Sequence, residues 1–387
     1  MLELDLTQDE IPFGTNIKII GVGGSGGNAI NTMIDNSLTG VEFIAANTDI
    51  TDLKKSKAKI KLQLGKETTK GLGAGANPEI GRKSAEESRD DIRSQLEGAD
   101  LVFIAAGMGG GTGTGAAPVI ATLAKELGIL TIGIVNRPFL SEGKKRMLNA
   151  EAGIHKLRDI VDTLIVVPNE KLKDIYPDMT VIDAFRRADN VLYEAAKAVS
   201  DIINSSGYIK VDFADVRTVM ANRGFALMGS AVGEGDDRAR KAIQEAMSNP
   251  LLTEVKIDKC PGILINITAG KDFRMEEFEI ISKEVNLKAT EASDIITGII
   301  FDQELEGKIK VTLIATGLKV NDNSVYEIES IRSKGADTPK EEISDMLDRI
   351  RSTNNNQDIS KKQQRSTREE GGSLQMDIPA FMRKFSN

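Results

Sequence analysis

The sequence predicts an α/β layer on a mostly parallel sheet, then one long helix, then a smaller α+β region. Three observations predict it. Short apolar runs alternate with amphipathic stretches through the first half, as successive strand–helix units do. A helical pattern then runs unbroken for about 24 residues. Beyond it, strand-like and helix-like segments continue without strict alternation.

The first strand is Asn16–Gly21, a buried apolar run, followed by a glycine turn and a helix to about Asn36. Further strands are expected at Val41–Ala46, Ile60–Leu64, Leu101–Ala106, Leu130–Val135 and Thr163–Val167, with helices over Pro78–Glu97, Thr114–Leu127 and Glu142–Arg158. Thr180 is a natural N-cap for the long helix, because its hydroxyl can accept a first-turn amide. Val181, Ile182, Phe185, Ala188, Leu192, Ala195, Val199, Ile202 and Ile203 then keep helical spacing to Asn204. Such a helix measures roughly 36 Å, and its wide apolar face predicts packing between two domains. Strands are expected again at Gly224–Val232, Gly262–Ala269, Asp294–Phe301 and Lys308–Ala315, with helices at Asp236–Met247 and Arg274–Val285.

From Asn321 to Ser373 the chain is polar and charged, a composition that buries too little to fold alone. A short helix at Lys340–Arg351 fits the pattern there, and as a coil the segment spans roughly 40 Å root-mean-square. It ends in an apolar-basic peptide, Leu374–Phe385, of the kind that docks on a partner. The expected division is a flexible N-terminus over 1–12, a first domain over 13–180, the central helix over 181–204, a loop and helix over 205–220, an α+β domain over 221–318, a linker over 319–373 and a docking peptide over 374–387.

Composition excludes several functions. A net charge of −8 argues against a general nucleic-acid binder, which needs a basic footprint. The single cysteine, Cys260, excludes internal disulfides and reads as a small core residue. The acidic start lacks a signal-peptide pattern, and no apolar stretch reaches the roughly 18 residues of a membrane span. A soluble, cytoplasmic protein is expected. The one histidine, His155, sits in a helical pattern as a bystander, so chemistry here rests on carboxylates, Lys, Arg, backbone amides and bound metal.

Two glycine loops carry that chemistry. The first, Gly21-Val22-Gly23-Gly24-Ser25-Gly26-Gly27-Asn28, follows a strand and opens a helix. Glycines let amides approach phosphate oxygens, and a helix N-terminus favours negative charge. Alone it suits a nicotinamide-dependent oxidoreductase equally, with Asp49 where a ribose-binding acid would stand. The second, Gly107–Gly115, adds a nest of amides with the hydroxyls of Thr112 and Thr114 as donors. No G-x-x-x-x-G-K-[ST] pattern occurs, and two such loops on one sheet suit a triphosphate better than a dinucleotide.

GGGTGTG at Gly109–Gly115 is similar to the tubulin-type signature, and its surroundings resemble the FtsZ family, the bacterial tubulin-like cell-division GTPases. The resemblance takes in NTD (Asn47–Asp49), EGKKRM (Glu142–Met147), PNEKL (Pro168–Leu172), VDFADVRTVM (Val211–Met220), NITAG (Asn266–Gly270) and DIPAFMRK (Asp377–Lys384). It implies a tubulin-like fold: a Rossmann-like GTP-binding domain joined by the central helix to the smaller α+β domain, with a disordered C-terminal linker. It further implies GTP or GDP on both loops, with Gly24, Ser25, Gly26, Gly27 and Asn28 in one segment and Gly110, Gly111, Thr112, Gly113 and Thr114 in the other. Glu142 and Arg146 match ribose-side contacts, Asn169 and Asp189 the polar base contacts, and Phe185 an aromatic beside the base. Read without the family, Phe185 is core, and Glu142 and Arg146 are an i,i+4 surface pair.

Asp212 and Asp215 form an i,i+3 carboxylate pair, which can polarise a water or simply cap a helix. The resemblance implies that they enter the neighbouring subunit's site and help water attack the γ-phosphate, with Mg2+ or K+ near the phosphates. Asp189 lies sixteen residues before Ser205, roughly 24 Å of helix. A chain therefore cannot bring Asp212 to its own γ-phosphate if the implied base contacts hold, and head-to-tail stacking into a filament follows. Lys210 stands where the family usually has Asn; it could pair with phosphate or with Asp212, or displace a water-positioning amide. The resemblance also implies a division ring at mid-cell and membrane-tethering adaptors such as FtsA on Asp377, Ile378, Pro379, Phe381, Met382 and Arg383, without direct membrane insertion. A related filament serving plasmid segregation or cell shape is the nearer alternative.

Overall fold

A computed structural model of the chain describes residues 14–204, 211–221, 223–252, 260–290 and 292–318. Lys210, the segment from 319 onward and the docking peptide lie outside the described residues.

Among the described residues there are ten strands, where ten were expected. They are β1 (Ile17–Val22), β2 (Glu42–Asn47), β3 (Ile60–Gln63), β4 (Leu101–Gly107), β5 (Leu130–Arg137), β6 (Thr163–Pro168), β7 (Gly224–Glu234), β8 (Gly262–Ala269), β9 (Asp294–Phe301) and β10 (Lys308–Leu318). The helices are α1 (Gly23–Asp35), α2 (Ile50–Lys55), α3 (Lys66–Thr69), α4 (Pro78–Glu87), α5 (Arg89–Leu96), α6 (Thr112–Glu126), α7 (Lys144–Arg158), α8 (Leu172–Ile175), α9 (Val181–Asn204), α10 (Phe213–Met220), α11 (Arg238–Met247) and α12 (Met275–Asn286). The stretch expected as one helix over Pro78–Glu97 is two, because Ser88 leaves the helical region at φ −97°, ψ 23°.

All ten strands join one sheet in the order β3-β2-β1-β4-β5-β6-β7-β10-β8-β9. The pairs from β3 to β6 are parallel. β6 and β7 then pair in parallel over Thr163–Ile165 and Gly224–Ala226, so the sheet continues into the second half without a break. β10 is antiparallel to both β7 and β8. Strand β4 explains why the parallel runs lack polar alternation: Leu101, Phe103 and Ala105 face one hydrophobic layer while Val102, Ile104 and Ala106 face the other.

α9 is capped as expected. The Thr180 hydroxyl accepts the Asp183 amide and donates to the Asp183 carboxylate. Its apolar face is buried from Ala188 onward, against α1, β5 and β6 on one half and β8 and β9 on the other. Val181, Ile182 and Phe185 are exposed, so the first turns of the helix stand clear of the core. The helix also has a direction. Phe185 meets Phe139, just past the end of β5, edge-on at 5.4 Å. At the other end, the Asn204 amide donates to the Gly40 carbonyl, just before β2 begins. α9 thus runs from the edge where the parallel strands end to the edge where they start.

Candidate active site

Consecutive strands lead away from β1 on one side, to β2, and from β4 on the other, to β5. The crevice beyond their C-terminal ends is therefore the topological switch point, where ligands of open α/β sheets sit. Both glycine loops lie there, and they touch. A Cβ on Gly23 would lie 3.0 Å from the Gly113 amide nitrogen, and one on Gly107 would lie 2.6 Å from the Ser25 Cβ. Helices α1 and α6 start side by side as a result. Neither has a side-chain cap or an acidic residue in its first turn. Two sets of first-turn amides and two positive helix ends converge, and among the described residues no side chain accepts those amides.

The second loop is shorter than its glycine content suggested. α6 begins at Thr112, so Gly113 and Gly115 are helical, and their small size serves close packing rather than a turn. A Cβ on Gly115 would collide with the Pro78 carbonyl, and one on Gly113 would lie 2.7 Å from the Gly107 carbonyl oxygen. Gly27 and Gly110 differ: a Cβ on either meets nothing within 4 Å, so it would project into open space. Of the two threonines expected as donors, Thr114 is 3 % exposed and its Oγ1 accepts the Gly109 amide at 2.9 Å. Its hydroxyl braces the loop from inside. Thr112 is at the helix start, its Oγ1 2.6 Å from that of Thr48.

The connections after β5 and β6 form a second wall. Glu142 lies in a tight turn ahead of α7; it accepts the Phe139 amide and pairs with Arg146 at 2.6 Å. The backbone of Arg146 abuts Gly109, which brings this pair to the second glycine loop. Leu140 donates its amide to Glu170, tying the same connection to the turn that holds Asn169. Asn169 is 5 % exposed, and its side-chain oxygen has no partner. Phe185 is 45 % exposed with one edge on Phe139, so the reading of it as core is overturned: an aromatic face is left open to a ligand. One turn further along α9, burial pushes the Asp189 carboxyl up to about 7, with no ion pair beside it among the described residues. Unpaired acceptors at Asn169 and Asp189 and an open aromatic ring suit a planar base rich in donors.

Some of this wall escaped sequence reasoning. Lys70–Asn77 is a third glycine-rich segment, with positive φ at Lys70, Gly71, Gly73, Gly75 and Ala76. It packs on the second loop, where a Cβ on Gly111 would lie 2.7 Å from that of Ala74. The repeated glycines at 71, 73 and 75 were the available signal. Asn136, at the end of β5, is 4 % exposed and also carries an unpartnered side-chain oxygen. Asp49 does not await a ribose. Its carboxylate caps α2, accepting the amides of Thr51 and Asp52.

Asp212 and Asp215 lie elsewhere. α10 is anchored where the strands start, with the Thr163 hydroxyl donating to the Met220 carbonyl. Asp212 occupies the N-cap position, but its side chain takes no first-turn amide. Both carboxylates are exposed. The length of β5, eight residues or roughly 26 Å, separates this edge from the glycine loops.

Comparison with known proteins decides the family. Residues 16–177 match the GTPase domain of the Tubulin/FtsZ family, and residues 224–319 match the C-terminal domain of the FtsZ family. The chain is 50 % identical to the cell division protein FtsZ of Coxiella burnetii over 319 residues, 82 % of each chain. It is 46 % identical to that of Pseudomonas aeruginosa over 386 residues, covering 97 % of this chain and 98 % of the relative. The chain belongs to the FtsZ family. Among solved structures, an empty FtsZ dimer from M. jannaschii superposes with a TM-score of 0.76 at 41 % identity, covering 79 % of this chain and 89 % of that one. CetZ2 from Haloferax volcanii, solved as a GTPgS-bound protofilament, shares the fold at a TM-score of 0.68 and 21 % identity, covering 82 % of this chain and 98 % of that one. Membership makes the chain a tubulin-like GTPase of cell division.

Proposed function

We propose that this chain polymerises head to tail and hydrolyses GTP at each junction between copies, one copy supplying the nucleotide cradle and the next supplying Asp212 and Asp215. The observation that carries the reading is the placement of the two at opposite edges of the sheet. Asn169 and Asp189 accept from the guanine N1–H and amino group, and Phe185 covers the ring. Glu142 and Arg146 hold the ribose. Amides of Gly24–Asn28 and Gly110–Gly113 take the phosphates, with the Thr112 hydroxyl beside them. Among the described residues no group of three Asp, Glu, His or Cys could hold a metal, so Mg2+ would rest on phosphate oxygens and water. Bound there, it would neutralise charge developing between the β- and γ-phosphates. Asp212 and Asp215 orient the attacking water and take its proton as its oxygen bonds to the γ-phosphorus and the bridging oxygen leaves with GDP. Lys210, two residues before Asp212, tunes that step.

Repeated head-to-tail contact gives a filament, the form in which a division ring at mid-cell is built. No helix among the described residues is long and apolar enough to cross a membrane. Attachment is assigned to the peptide Asp377–Lys384 and an adaptor of the FtsA type. Phosphate release and light scattering, followed over a range of protein concentrations, test the shared site. Specific activity should rise steeply with concentration, and Asp212→Ala should abolish turnover while sparing GTP binding. Lys210→Asn should alter turnover at unchanged GTP affinity. Hydrolysis independent of protein concentration sinks the reading. Deleting 374–387 should leave filaments but disperse them from mid-cell.

A further inference from the structure

The contact between Thr48 and Thr112 joins the residue after β2 to the first turn of α6, at 2.6 Å between hydroxyl oxygens. Such a pair has two protons and one line between the oxygens, so the direction of donation is a structural choice. Burial makes that choice. Thr48 is fully buried, and among the described residues its hydroxyl has no acceptor except Thr112 Oγ1. A buried hydroxyl that kept its proton unshared would lose a hydrogen bond, so Thr48 donates. Thr112, at 9 % exposure and at the mouth of the cradle, is left with a proton that no group among the described residues accepts.

The backbone around Thr48 is held firmly enough to keep the geometry. The Leu64 amide donates to the Asn47 carbonyl, and Asp49 caps α2 directly after it. The Thr69 hydroxyl approaches the Thr48 carbonyl at 3.4 Å. We propose that Thr48 is a positioning residue for nucleotide: by donating to Thr112, it turns the Thr112 proton outward onto a phosphate oxygen. This rests on the nucleotide reading above. Thr48 touches no ligand itself and acts only through its partner.

The test uses the full chain with Thr48→Val, which keeps the shape and removes the donor, Thr48→Ser, which restores it, Thr112→Val and the double variant. Affinities for GTP, GDP and guanosine are measured by titration calorimetry, with melting of the nucleotide-free proteins. Thr48→Val should weaken GTP and GDP by roughly three- to ten-fold, because the Thr112 hydroxyl keeps its proton and loses the partner that orients it. Guanosine affinity should not move, and Thr48→Ser should stay within about two-fold of the parent by the same reasoning. The double variant should be no weaker than Thr112→Val alone, because the effect passes through that hydroxyl. If the valine variant does not fold, Thr48→Cys, of similar size with a weak donor, should show the same pattern. Unchanged GTP affinity in Thr48→Val, an equal loss for guanosine, or additive losses in the double variant overturn the proposal alone. A parent chain that binds no GTP overturns the nucleotide reading and the proposal together.

Discussion

Replacing Asp189 by Asn should raise the stability of the nucleotide-free protein and lower its affinity for GTP. Burial on α9 moves this carboxyl from 3.8 to about 7. Between about pH 4 and pH 7 the unfolded chain has lost this proton while the folded chain keeps it. Stability therefore falls as pH rises through that window and is level above it. About three units at about 1.36 kcal/mol each set an upper bound of about 4 kcal/mol, which partial solvent contact reduces to roughly 1–2. Asn removes the charge, so at pH 8 the nucleotide-free variant should melt a few degrees higher, at roughly 2–4 °C per kcal/mol. On the proposed reading guanine reverses the balance, since its two donors would need the ionised form. From pH 8 to pH 6 a group titrating near 7 withdraws about ten-fold in affinity from the parent. The terminal phosphate titrates in the same range, and the variant reports that contribution by itself. Calorimetric GTP titrations at pH 6, 7 and 8, with melting curves with and without nucleotide, read both effects. Equal pH dependence in parent and variant, or a variant that melts lower at pH 8 yet binds GTP normally, would refute the reasoning.

Gly110→Ala and Gly115→Ala should fail in opposite ways. The first adds a methyl to open space, so melting should hardly change while GTP affinity drops by more than about ten-fold; the second drives a methyl into the Pro78 carbonyl and should cost roughly 1–3 kcal/mol of stability in a urea titration. Arg238 joins α11 to α12 through both oxygens of buried Glu277 and also reaches Asp272, holding both carboxyls below their ordinary range. Arg238→Met strands Glu277 and should cost roughly 3–5 kcal/mol at pH 7, and adding Glu277→Leu should recover most of it. Because the two carboxyls are depressed, the parent's advantage over Arg238→Met is present above about pH 4.5 and lost as pH falls below it.

Much of this protein was legible along the chain, since local rules decide local structure. Parallel strands buried on both faces leave unbroken apolar runs, which is why β1, β4, β5 and β6 stood out. Thr180 announced the start of α9 because a hydroxyl at that position accepts an amide three residues on. The two glycine loops were visible because glycine is the residue that lets backbone approach closely. What the sequence could not decide depends on residues far apart in it. Gly113 looked like loop and is helix, and the smallness of Gly113 and Gly115 answers Gly107 and Pro78 across the fold. Phe185 looked like core, but the first turns of α9 project beyond the sheet. Thr48 stood in the NTD match, but its pairing with Thr112 was not visible, since the two are 64 residues apart. The placement of the glycine loops and Asp212 at opposite edges follows from the direction of α9 across the sheet, which is fixed by contacts at its two ends rather than by its own periodicity.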